Sequence, residues 1–146
     1  MPDQETLERV RRDEEEGKSP STQAGEFVRE EVHHIREGKH GARSTKQAIA
    51  IGLSKARRAG VKLGRPRGAS KRTLKQAARD SARGRRPGKP SSAARSRAAL
   101  KALKGEGHGV ASRTALARHA RSTARRRTAA ARSTAARRAA RARRRR

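Results

Sequence analysis

His33, His34 and His40 are the first residues of this chain whose types suggest chemistry, because imidazole is a common ligand of transition metals. Their spacing argues against it. Adjacent histidines point to different faces of a helix, and no paired acid stands at ligand spacing. Surface histidines, with no metal and no other cofactor, are therefore expected. Gly17-Lys18-Ser19 ends like a phosphate-binding loop, but Arg12 occupies the place of that loop's first glycine. Beyond Glu37 the chain holds only two carboxylates, Asp80 and Glu106. A nucleophile, base and orienting acid cannot be assembled from so few, and no enzyme is expected.

What the chain has in abundance is positive charge, sorted by position. Of 146 residues 41 are Lys or Arg and 13 are Asp or Glu, for a net charge of +28. Residues 1–37 carry −5 and residues 38–146 carry +33. Such a field costs self-repulsion unless a polyanion balances it, which points to nucleic acid. Duplex DNA is the expected partner, bound through its phosphates with release of counterions. RNA is the alternative, as in a ribosome-associated basic protein. The chain has one Phe and neither Trp nor Tyr, so base stacking on aromatics contributes little. Bulky apolar faces are missing from the Arg-rich segments, and no membrane association is expected.

Two segments suggest a specific contact. Gly64-Arg65-Pro66-Arg67-Gly68 resembles an AT-hook core, in which an extended Gly-Arg-Pro lies in the narrow minor groove of A·T tracts. Gly84-Arg85-Arg86-Pro87-Gly88-Lys89-Pro90 is a looser version. Candidate DNA contacts are Arg65, Arg67, Arg85, Arg86 and Lys89 in these linkers. In the Ala/Arg tail they are Arg118, Arg121, Arg125, Arg126, Arg127, Arg137 and Arg138. Before residue 64 they are Arg43, Lys46, Lys55, Arg57 and Arg58.

The elements that must position them are helices. Leu, Ile, Val and Phe make up about 11% of the chain, and most precede residue 64. A short charged helix is expected over 3–16, ended by Gly17. Ser19-Pro20 starts a second, whose apolar stripe is Ala24, Phe27, Val28, Val32 and Ile35, with Gly38 as its left-handed cap. Ser44 and Gln47 form a capping box for a third, with the stripe Ala48, Ile49, Gly52, Leu53 and Ala56 and with Gly60 as cap. The second and third should pack as a helical hairpin, Gly52 allowing close approach. The third could serve as a recognition helix, but packing of the two stripes explains it better. Further on, Ser70, Ser96 and Ser112 each read as an N-cap with a Leu four residues later.

The expected fold class is all-α. A small helical head over 1–63 precedes a basic, partly helical and largely disordered arm over 64–146, with AT-hook-like linkers at 64–68 and 84–90. The segment Ser19 to Leu63 resembles a small, uncharacterised bacterial domain family whose members are often labelled DNA-binding. The resemblance lies in Ser21–Val28, in the Glu37-Gly38-Lys39 turn, and in Lys46–Ser54 followed by Ala56–Gly60. The tail resembles the Ala/Arg/Lys-rich arms of histone-like proteins in composition. Sequence-nonspecific DNA binding by a nucleoid-associated protein is the expected function, with a cytoplasmic, nucleoid location. Oligomeric state and base preference have no signature in the sequence.

Overall fold

Serine caps set the helix boundaries in the computed structural model of the chain, which describes residues 1–86 and 92–144. The helices are α1 (Gln4–Glu15), α2 (Pro20–Arg36), α3 (Thr45–Arg58), α4 (Lys71–Arg85), α5 (Ala93–Lys104), α6 (Arg113–Arg125) and α7 (Ala129–Arg144), with a 3-10 turn at Gly109–Ala111. The fold is all-α, without a strand among the described residues. Ser19 Oγ accepts from the Thr22 amide at 3.3 Å, with Pro20 as the first helical residue. Ser44 Oγ accepts from the Gln47 amide at 3.1 Å. Gln47 reaches back as expected, but to the Arg43 amide, one residue before the cap. Ser70 caps α4. Ser92, not Ser96, caps α5, and Ser96 lies inside the helix.

The chain forms two compact units, Met1–Ser112 and Arg113–Arg146. In the first, α2 packs on α3, α1 on α2, and α4 on α3. The core is small: Ala24, Phe27, Ala56 and Val61, with Leu7, Val10, Leu53 and Leu63 packed against it. The α2–α3 hairpin closes through Gly52, where an added Cβ would lie 2.7 Å from Val28 Cα. Backbone cannot yield at that distance, so only glycine lets the two helices approach this closely. Gly38 and Gly60, at φ 72° and 97°, cap α2 and α3 as expected.

The position expected for the end of the head, residue 63, falls inside the first unit. Two further segments dock beyond it. Helix α4 is held to α3 by Asp80, 1% exposed, which accepts from Ser54 Oγ at 2.7 Å, Arg58 Nε at 2.8 Å and Gln76 Nε2 at 3.2 Å. Residues 103–111 then return to the α2–α3 turn. The Gly41 amide donates to Leu103 O, the Ala42 amide to Gly107 O, Thr45 Oγ1 to Val110 O and Arg36 Nε to Ala111 O.

Burial raises the Asp80 carboxyl, but Arg58 and Ser54 outweigh it and hold the group below the ordinary value of 3.8. A depressed carboxylate contributes stability above its unfolded pKa, and that contribution disappears as pH falls through the folded one. Asp80→Asn is expected to destabilise the protein by about 1.5 kcal/mol at neutral pH, since Arg58 is half exposed and can recover water. In urea titrations followed by circular dichroism, the gap between the two proteins should close as pH drops below 3.8.

The second unit contains α6 and α7. None of the residues of α6 is buried, and the arginines of both helices are exposed. Arg118, Arg121 and Arg125 recur at three- and four-residue steps and share one side of α6.

Candidate nucleic-acid interface

A base that is already neutralised inside the fold is a poor phosphate ligand, so the ion pairs sort the candidates. Lys55 Nζ lies 3.1 Å from Glu30 Oε1 and 2.8 Å from Glu31 Oε2. Arg57 is buried. Arg58 is engaged with Asp80. Lys55 and Arg57 therefore serve the first unit's interior, Arg58 is half exposed but committed to Asp80, and of the expected contacts on that hairpin Lys46 and Arg43 are the most open to a ligand. Lys46 is exposed, and Arg43 makes a loose, open pair with Glu106 at 3.6 Å.

The two AT-hook-like segments differ. Residues 61–66 have no regular secondary structure, and Arg65 and Arg67 stand exposed on either side of the half-buried Pro66. Gly84 and Arg85, by contrast, belong to α4. An added Cβ on Gly84 would lie 2.2 Å from the Arg57 carbonyl oxygen, so this glycine is where α4 meets the end of α3. It is not the start of an extended linker, which removes the second segment's expected geometry at its first two residues. Arg85 and Arg86 are exposed, and Lys89 lies outside the described residues.

The remaining candidates, Arg118, Arg121, Arg125, Arg126, Arg127, Arg137 and Arg138, are all exposed. Arg113, Arg118, Arg121 and Arg125 line a shallow, open depression along α6. Both acids beyond Glu37 are engaged elsewhere, Asp80 with Arg58 and Glu106 with Arg43. Among the described residues no ion pair involves a Lys or Arg beyond Arg58.

A second site was not visible in the sequence. His33 is exposed as expected, but His34 and His40 are buried, and both face carboxylates. His34 Nε2 lies 2.8 Å from Asp3 Oδ2. His40 Nε2 lies 3.3 Å from Glu31 Oε1, and its Nδ1 lies 3.1 Å from Gly41 O. The Asp3 amide donates to Glu30 Oε2. The hydrogen bond from His34 holds the Asp3 carboxyl below its ordinary range. Burial lowers the Lys55 ammonium, but Glu31 and Glu30 outweigh it, and the net shift is upward. Glu31 is fully buried and neither of its oxygens accepts a hydrogen bond; Lys55 approaches it as an ion pair, off the hydrogen-bonding directions.

Residues 16–67 match a family of unknown function (DUF6496). The matched segment takes in α2, α3, the turn between them and most of the buried polar cluster, and it ends before α4. No curated protein and no solved structure matches the chain. The family carries no assigned activity, so a DNA-binding reading rests on charge and exposure.

Proposed function

We propose that the protein binds duplex DNA without sequence preference, as a nucleoid-associated, histone-like protein. The observation that carries this reading is the run of exposed Lys and Arg beyond Arg58 that, among the described residues, have no acid paired to them. Each such cation that meets a phosphate releases a condensed counterion. Helices α5, α6 and α7 have 12, 13 and 16 residues, and neither α5 nor α6 buries a residue. Helices of that length without a buried face are marginal in water. A polyanion that relieves the repulsion among their arginines would stabilise them, so an arm that is largely disordered alone and orders on the duplex belongs to the same proposal. Arg65 and Arg67, beside Pro66, are the residues for minor-groove insertion.

The test is a salt titration of duplex binding by the whole chain and by the triple variant Arg118→Gln, Arg121→Gln, Arg125→Gln. At about 0.9 in log–log slope per phosphate contact, the variant's slope should be shallower by about 2.7. The loss should be equal on A·T-rich and G·C-rich duplexes. An unchanged slope would remove α6 from the interface. Preference for structured RNA in direct competition would move the assignment to RNA. No helix among the described residues is long and apolar enough to cross a membrane.

A further inference from the structure

Glu31, His34 and His40 each offer one ligand atom, and these atoms lie within 4.8 Å of one another. All three residues are buried, and they come from one turn of α2 and from the turn that follows it. From this arrangement we propose that Glu31, His34 and His40 form a binding site for a divalent transition-metal ion of the zinc type.

Three observations carry the assignment. The first is the state of Glu31, a fully buried carboxylate whose oxygens accept no hydrogen bond. Lys55 covers Oε2, and Oε1 lies on the His40 side. The second is how the imidazoles are held. With His40 Nδ1–H donating to Gly41 O, Nε2 keeps its lone pair, and it lies 3.3 Å from Glu31 Oε1 without a hydrogen bond between them. An ion bound by both atoms would sit off the line that joins them, as the ligand–metal–ligand angle of a tetrahedral site requires. Bonds of about 2.0 Å at tetrahedral angles place neighbouring ligand atoms about 3.3 Å apart, so this edge already has the spacing of a zinc site. His34 is oriented in the same manner by Asp3, the carboxylate–histidine arrangement that fixes a metal-binding imidazole. The third is charge. Among the described residues Lys55 is the one Lys or Arg in an ion pair with Asp3, Glu30 or Glu31, so these four side chains together carry −2. A divalent ion neutralises that charge. Imidazole and carboxylate without thiolate select ions of the zinc, nickel or cobalt kind over copper(I).

The experiment uses the full chain, freed of nucleic acid and metal, titrated with Zn2+ in competition with a chromophoric chelator. Co2+ serves as a spectroscopic probe. One equivalent should bind, with a rise in Tm and with the visible absorption of low-coordinate Co2+. His40→Gln and Glu31→Gln should abolish stoichiometric binding. Asp3→Asn, which loosens only the orientation of His34, should weaken it by about 10-fold. His33→Gln, one residue from His34 but exposed, should bind as the parent does. Circular dichroism of each metal-free variant separates loss of the site from loss of the fold, and Asp3→Asn keeps the test informative if Glu31→Gln unfolds. Absence of a stoichiometric site in the parent, or one that survives His40→Gln, would overturn the proposal.

Discussion

Lys55→Ala is expected to destabilise the protein by about 3 kcal/mol and to leave the salt dependence of DNA binding unchanged. The lysine lies between Glu30 Oε1 and Glu31 Oε2, and those carboxylate side chains are 2% and 0% exposed. Removing it strands two buried negative charges. Breaking a fully buried pair costs about 3–5 kcal/mol, and the partial exposure of the lysine places this case at the low end. Lys46 is the control. It is on the same helix, exposed and without an ion-pair partner among the described residues, so Lys46→Ala should move stability by less than about 0.5 kcal/mol. If it meets a phosphate, its loss should make the binding slope shallower by about 0.9. Urea unfolding with a chelator present, beside salt-titrated binding, measures both quantities. A stable Lys55→Ala protein with a shallower slope would return this residue to the interface.

That contrast between two lysines nine residues apart shows what the sequence could and could not reveal. Helices α1 to α3 were legible because their determinants are local: Ser19, Ser44, Gly38 and Gly60 at the ends, and apolar residues at three- and four-residue steps between them. The hairpin and the close approach at Gly52 follow from those stripes. The polar cluster did not follow. Glu30, Glu31 and His34 lie on α2 beside the apolar stripe, where charged residues ordinarily face water. Their partners Asp3, His40 and Lys55 come from three other segments. Apolar periodicity carries no information about a buried face made of charges. Docking of α4 was hidden for a related reason. Its core contribution is a single buried alanine, Ala77, and its attachment rests on Asp80 and on the bare backbone of Gly84. Return of residues 103–111 to the α2–α3 turn is largely a set of bonds to main-chain carbonyls, which leave no trace in composition. One signal was available: an isolated acid in a strongly basic stretch, as Asp80 is, can be a structural pin. The exposed arginines of α6 and α7 were legible from composition alone.

Phe27→Ala should have the largest effect of any single substitution in the first unit. Phe27 is the chain's only aromatic residue and is fully buried. Its neighbours in the core are Ala24, Ala56 and Val61, with parts of Leu7, Val10, Leu53 and Leu63. Two of these are alanines, whose methyl groups cannot extend into the vacated space, and α2 and α3 are already in contact at Gly52 and cannot close further. The cavity therefore stays open, and the expected cost is about 4 kcal/mol. That is most of the stability a unit with so small a core can have. Phe27→Leu, which keeps much of the volume, should cost about 1.5 kcal/mol. Circular dichroism should show the cooperative transition of the parent moved well below its Tm in Phe27→Leu and absent near physiological temperature in Phe27→Ala. Under the proposed function the two activities separate. The arm's arginines need no folded core to reach phosphates, so Phe27→Ala should keep the salt slope contributed by Arg118, Arg121 and Arg125. It should lose zinc binding, because the histidines are brought to Glu31 by the fold of α2 and its turn. Loss of duplex binding together with the fold would instead place the interface on the first unit.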